Sequence, residues 1–187
     1  MEKHKILIAY GTRYGATAST AKEIAQVLES QGLEVNVIDL KKEKIRDISN
    51  FDLIIVGSGM QMHMYTGKVK SFLKRFSNEL KKKKVAIFVS SGARALLEYK
   101  GEYDEINNMI TKYLEEKPSK YGLKPISTAM FGGIWDYNKV SKIFRKFLDP
   151  EREHIIAAGI KETEPGVYDT RDWDEIHEWA KELVAKV

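Results

Sequence analysis

Three runs in this chain contain no polar position at all: Ile6-Leu7-Ile8-Ala9-Tyr10, Leu53-Ile54-Ile55-Val56 and Val85-Ala86-Ile87-Phe88-Val89. A strand with one wet face alternates apolar and polar residues, so continuous runs of this length are strands buried on both faces. Between the runs the period changes. Ala18, Ala21, Ile24, Ala25 and Leu28 recur at helical spacing over 17–31, closing at Gly32. Val69, Phe72, Leu73, Phe76 and Leu80 do the same over 67–80. Strands covered on both faces and separated by helices require a parallel sheet between two helical layers.

The rest of the chain extends the pattern. Residues 33–38 alternate and read as the second strand, and Ile126 to Phe131 as the fifth. Helices are expected over 103–116, stopped by Pro118, and over 137–148 and 172–186. His154 to Ile160 fits either a short strand or a buried loop. The expected fold is α/β: a doubly wound, five-stranded parallel sheet of order 2-1-3-4-5 in three layers. It is expected to form one domain, 1–187, with an inserted or extended segment at about 132–160. In such sheets a ligand binds outside the carboxyl ends of the strands, near the point where strand order reverses.

Composition removes several function classes. There is no cysteine among the 187 residues, which excludes disulfides, thiolate metal sites, cysteine nucleophiles and cysteine-ligated iron–sulfur clusters. No metal site is expected. No apolar run reaches the roughly 20 residues of a spanning helix. Met1 to Lys5 lead straight into the first strand without a signal peptide, so the cytoplasm is the expected location. Net charge is +4, from 31 basic and 27 acidic residues. That sign suits an anionic partner or surface, although a mixed solvated surface explains it equally well. Nucleic acid is not an expected partner. Lys81 to Lys84 precede a strand and read as a solvated turn at the opposite edge of the sheet from any ligand.

Three segments follow strands and so converge at one edge. The first is Gly11 followed by Thr12, Arg13, Tyr14, Gly15, Ala16 and Thr17, where a strand turns into a helix N-terminus. Backbone N–H groups and short hydroxyls there suit a phosphate. The loop has neither the nucleotide-triphosphate Gly-x-x-x-x-Gly-Lys pattern nor Gly-x-Gly-x-x-Gly. A phosphate held by neutral donors remains, as in flavin mononucleotide (FMN), against the rival of an ordinary capped turn. The second segment is Ser58, Gly59, Met60, Gln61, Met62, His63, Met64, Tyr65 and Thr66. Its glycine admits a flat ligand, and its methionines can cover a ring. The third runs from Ser90, Ser91, Gly92, Ala93 and Arg94 to Tyr99. Its small residues offer backbone groups to the polar edge of an isoalloxazine, and Arg94 offers a charge to balance a reduced ring. His63 is the best single candidate for a catalytic group, since imidazole changes charge near neutrality. A structural histidine is the plainer alternative.

Thr12-Arg13-Tyr14-Gly15-Ala16-Thr17, Met62-His63-Met64-Tyr65-Thr66-Gly67 before Phe72, Phe131-Gly132-Gly133-Ile134-Trp135-Asp136-Tyr137 and Asp169-Thr170-Arg171-Asp172-Trp173 together resemble the flavodoxin superfamily. Within it the resemblance is nearest to the flavodoxin-like, quinone-dependent protoporphyrinogen IX dehydrogenase family. It covers nearly the whole chain. It implies a flavodoxin-like fold, FMN as cofactor, protoporphyrinogen IX as the reduced organic substrate, and a quinone or a redox protein as acceptor. The inserted segment carries fewer arginines and tyrosines than that family, and Ile155 to Ile160 are more apolar.

Two further readings bear on partners. Val140, Ile143, Phe144, Phe147 and Leu148 share one helical face, and Lys139, Lys142, Arg145 and Lys146 occupy the rest. Such a helix can lie on an anionic membrane, giving a peripheral contact through 139–148 at the inner face, or can simply pack with a wet basic side. The rival functions are an electron carrier of the flavodoxin type, which has no small substrate, and a scaffold that has lost its flavin.

Overall fold

The computed structural model of the protein describes residues 4–140 and 142–187, and the side chains of all of these except 142–144, 147 and 148. Strands β1 (Lys5–Gly11), β2 (Glu34–Asp39), β3 (Leu53–Gly59), β4 (Lys84–Ser90) and β5 (Ser127–Phe131) form a parallel sheet of order β2-β1-β3-β4-β5. This is the expected three-layer fold. β3 is buried at every position and β4 at all but its first, as their continuous apolar runs require.

Alternate residues of each central strand face opposite layers. Leu7, Ala9, Ile54, Val56, Val85, Ile87 and Val89 pack with Val69, Phe72 and Leu73 of helix α2 (Gly67–Arg75). Ile6, Ile8, Leu53, Ile55, Ala86 and Phe88 pack on the other side with helices α1 (Ala16–Ser30) and α8 (Trp173–Val184). The strand period of two sorts these side chains into two cores. α1 closes as its sequence predicts: Gly32 takes φ +85° and Leu33 N–H reaches back to the Leu28 carbonyl at 3.3 Å. That six-to-one bond at a left-handed glycine ends a helix without leaving its carbonyls unpaired.

Several expected boundaries differ. The segment 67–80 breaks at Phe76 into α2 and the short α3 (Ser77–Leu80). The third segment at the ligand edge is mostly helix, α4 (Ala93–Lys100), rather than loop. Pro118 does not stop the following helix. α5 (Tyr103–Ile110) passes into a π-helical stretch, Thr111–Glu116, and α6 (Lys117–Ser119) follows. Pro118 stands in α6, and the residues before it keep helical backbone, so the helix runs through the proline. Lys83 of the lysine run is not simply solvated: its ammonium donates to the carbonyls of Ser49 and Phe51, the latter at 2.8 Å.

The insert has structure of its own. β6 (Ile134–Asp136), β7 (Glu162–Glu164) and β8 (Val167–Asp169) make an antiparallel sheet of order β6-β8-β7. Between β6 and β7 runs α7 (Lys142–Ala157), with Pro150 inside it. The helix expected at 137–148 therefore begins later and extends further. The segment 154–160 is not a strand: it completes α7 and turns at Gly159, φ +74°. Leu96 of α4, Tyr137, Ile155 and Tyr168 form a small core beneath the insert. Of the apolar helical face read from the sequence, the side chains of Ile143, Phe144, Phe147 and Leu148 lie outside the described residues. Val140 is buried, and Arg145 donates to the Tyr137 carbonyl.

Candidate functional site

The carboxyl ends of the central strands finish level with one another. Gly11 pairs with Ser58, Gly59 with Ser90, and Ser90 with Phe131. The three segments after β1, β3 and β4 therefore emerge side by side.

The first loop closes on itself through Gly15 N–H, which donates to Thr12 Oγ1 at 2.9 Å. Gly15 is the α1 N-cap at φ +105°, and the first N–H groups of the helix have no intrahelical acceptor. Thr17 Oγ1 is buried without a hydrogen-bond partner. A buried hydroxyl left unpaired costs about 1–3 kcal/mol, so its position facing the loop fits a polar ligand there. A Cβ on Gly59 would lie 3.1 Å from this oxygen and 3.6 Å from Arg13 N, so a side chain there would press the threonine hydroxyl against the loop. These neutral donors fit a phosphate. The Arg13 side chain is exposed.

A second cation, missed in the sequence, supports this loop from behind. The Arg171 side chain is 5% exposed and forks onto Asp169 at 2.6 Å and 2.8 Å. Its other nitrogen donates to the Ala16 carbonyl at 3.2 Å and to Ser19 Oγ at 2.5 Å. The guanidinium also stacks 4.3 Å over Trp173. It ties the first turn of α1 to the segment before α8.

The second segment forms a tight turn in which Gln61 and Met64 bridge, with Met62 at φ 48° and His63 at φ 60°. Two adjacent non-glycine residues in left-handed conformation are strained, and such strain collects at functional sites. Gln61 Nε2 donates to the Tyr14 hydroxyl at 3.2 Å, joining the first segment to the second. His63 Nδ1 lies 2.5 Å from the Tyr113 hydroxyl. Tyr65 donates to the Tyr113 carbonyl. Burial, and then the Glu105 carboxylate, push the Tyr113 phenol above its ordinary pKa.

Beside these turns lies a cavity of about 400 Å³. Of the expected site residues, Tyr14, Met60, Gln61, Met62, His63, Ser91, Gly92 and Ala93 line it. Tyr14, expected with the phosphate, thus stands at this cavity instead. Others do not line it: Thr12, Arg13, Gly15, Ala16, Thr17 and Gly59 lie in or under the first loop. Tyr65 is 2% exposed and belongs to the core. Met64 is largely solvent-facing. Ser90 is buried with its hydroxyl unpartnered. Arg94 points away: it donates to Glu98 at 2.9 Å, to both oxygens of Glu175 at 2.8 Å and 2.9 Å, and to the Met130 carbonyl. Because Arg94 stands on a helix rather than a loop, its direction is set by α4. It is not placed to balance a ring in the cavity.

The remaining walls come from elements that the sequence reading left unassigned or half-assigned. Leu97, Glu105, Met109 and Tyr113 approach from the helices after β4, and Ile134, Trp135, Asp136 and Val140 from the insert. Trp135 Nε1 donates to the Gly92 carbonyl at 2.9 Å, and a Cβ on Gly92 would lie 2.7 Å from that nitrogen. The aromatic Trp135 just after a Gly-Gly was the available signal. Tyr113 and Glu105 had none, since only the fold brings their helix to this edge.

A family model described as "Flavodoxin domain" matches residues 7–149. No curated protein matches the chain. Among solved structures, the flavodoxin of Streptococcus pneumoniae TIGR4 superposes with a TM-score of 0.55 at 17% identity, over 98% of this chain and 99% of that one. Flavodoxin 1 of Bacillus cereus does so with a TM-score of 0.50 at 18% identity, over 81% and 97%. The chain spans 36% of the rubredoxin oxygen:oxidoreductase of Desulfovibrio gigas, with 83% of itself covered, at a TM-score of 0.49 and 19% identity. At these identities the structural likeness is one of fold.

Proposed function

The chain belongs to the flavodoxin domain family, and from that premise we propose that it is an FMN-dependent oxidoreductase resembling protoporphyrinogen IX dehydrogenase. It would pass electrons from a reduced organic substrate to a quinone or another acceptor. The cofactor is FMN, and the general function is redox electron transfer. When bound, FMN supplies the redox chemistry, and the protein binds, orients and tunes it. Thr12 to Thr17 would hold the phosphate, with Thr17 Oγ1 taking the partner it lacks. Met60 to His63, Ser91, Gly92 and Tyr14 would hold the ring.

The observation that carries the enzyme reading is the wall of the cavity built by the insert. Ile134, Trp135 and Asp136 close one side of a space of about 400 Å³. A carrier's flavin would need the same space, so the reading rests on the insert, which would stand over one side of the ring where a small substrate approaches. The test is anaerobic incubation of FMN-loaded protein with protoporphyrinogen IX and a soluble quinone. Porphyrin fluorescence and quinol should appear together; their absence, with FMN bound, rejects this substrate.

One feature favours a carrier instead. Met62 and Met64 are 72% and 48% exposed beside the cavity mouth, an apolar rim suited to a protein partner. Reduction by a redox protein, with no turnover of small substrates, would support that reading. Among the described residues no helix is long and apolar enough to cross a membrane. The peripheral contact through 139–148 is part of the proposal and is checked by flotation with anionic liposomes.

A further inference from the structure

His63 and Tyr113 are joined where neither residue has an ordinary backbone. His63 is held at φ 60° at the tip of a two-residue turn. Tyr113 belongs to a π-helical stretch inside a longer helix, a feature that recurs at functional sites. The two side chains meet at 2.5 Å on the cavity wall. Tyr113 is rigid: it is 2% exposed, and its main chain accepts a bond from buried Tyr65. A buried tyrosine thus fixes an exposed imidazole at the mouth of the cavity.

The bond holds in both charge states of the imidazole. In the neutral ring the Nδ1–H tautomer donates to the Tyr113 phenol oxygen and leaves the lone pair on Nε2. When His63 is protonated, Nδ1–H keeps the same acceptor. The proton is therefore gained and lost at Nε2, away from Tyr113. Other charged groups stand close by. Lys117 lies 5.5 Å over the Tyr113 ring and Glu105 acts on the same phenol. Asp136 pairs with Lys139 at 2.7 Å. Of the residues lining the cavity, His63 is the imidazole, the side-chain type that ordinarily exchanges a proton near neutrality.

We propose that His63, positioned by Tyr113, is a redox-linked proton site: it gains one proton when the FMN beside it gains two electrons, and releases that proton when the electrons leave. This rests on the FMN reading and not on any particular substrate. The balance is complete. A donor that loses two electrons and two protons gives both electrons and one proton to the cofactor, and the second proton to His63. A quinone taking two electrons and two protons restores both. Where the reductant supplies electrons alone, both protons come from water.

The experiment uses FMN-loaded protein, with loading measured first by quenching of flavin fluorescence. The His63 ring protons are followed by NMR against pH with the flavin oxidised and then reduced at an electrode, and His63→Gln identifies the signal. The midpoint should rise by about one pH unit on reduction, as expected for a new anion nearby. By the same linkage, His63→Gln should lower the flavin potential at acid pH and leave it unchanged at alkaline pH. Tyr113→Phe, which removes one hydroxyl and little packing, should shrink the difference between the two midpoints. Equal midpoints in wild type, or a His63→Gln potential that tracks wild type at every pH, overturn the proton site. An undiminished difference in Tyr113→Phe overturns the positioning role. Protein that takes up no FMN overturns the cofactor reading and this inference together, at the first step. Failure to oxidise porphyrinogen affects only the substrate.

Discussion

Gly59 and Thr17 stand against each other beneath the first loop, and a Cβ on the glycine would lie 3.1 Å from the threonine hydroxyl oxygen. The contact is tight enough that an added methyl must displace the hydroxyl or the loop above it. Gly59→Ala should weaken FMN binding about tenfold, roughly 1.4 kcal/mol. A fluorescence titration measures it. An unchanged Kd would mean that the loop absorbs the methyl without loss.

Thr17→Val separates the needs of the cofactor from those of the fold. The hydroxyl is buried and unpartnered, so an isosteric methyl should leave the cofactor-free protein as stable or more stable, by up to about 1 kcal/mol. FMN affinity should fall at the same time. Urea denaturation without FMN and titration with it would show opposite effects. Parallel losses would instead make Thr17 a structural residue.

Arg171 predicts a large stability effect away from the cavity. Arg171→Ala leaves Asp169 without its forked partner and uncovers Trp173, and breaking a pair buried this well costs about 3 kcal/mol. Arg171→Lys should recover only part, because a point charge cannot form the fork. Chemical denaturation of both variants tests this.

The link between α4 and α7 should depend on pH. Lys100 donates to Glu151 at 2.9 Å, and this bond holds the Glu151 carboxyl below its usual range. A depressed carboxylate stabilises the fold above its unfolded pKa, about 4.3, and loses that contribution as pH falls through the folded value. Lys100→Met should therefore lower stability at pH 7 by less than about 1 kcal/mol, since the pair is partly exposed. The variant and wild type should converge near pH 3. Thermal melts at the two pH values decide it.

Strain in the second segment predicts the reverse trade. Met62 at φ 48° suits asparagine better, so Met62→Asn should stabilise by about 0.5 kcal/mol. If the turn serves the cavity, the gain should come with weaker FMN binding. Melting temperature and Kd are the two readouts.

The central fold was legible because Ile6, Ile54 and Ile87 stand in runs that tolerate no water on either face. The insert was not. Glu162, Thr163 and Glu164 are all exposed, so β7 carries no apolar period to read. α4 gives little signal because it is short and begins at Gly92 without a side-chain cap. The direction of Arg94 was hidden for the same reason, and its partner Glu175 lies 81 residues away, beyond anything spacing reveals. Of the candidate site, the turn of the first loop into a helix N-terminus was readable from its hydroxyls and glycine. Tyr113 was not, because a tyrosine in a helical period reads as core, and Tyr113 is also core.

The clasp at the root of the insert has a consequence for how such a chain can diversify. Gly133 N–H donates to Thr170 Oγ1 at 2.9 Å, and Thr170 N–H donates back to the Gly133 carbonyl at 2.9 Å. A Cβ on neighbouring Gly132 would overlap the Thr170 carbonyl. The polypeptide therefore leaves β5 and reaches α8 through a single doorway. What lies between can lengthen, shorten or be exchanged without altering the span from β5 to α8. Under the proposed function, substrate choice could then be rewritten in the insert while the edge proposed to hold the flavin is inherited intact.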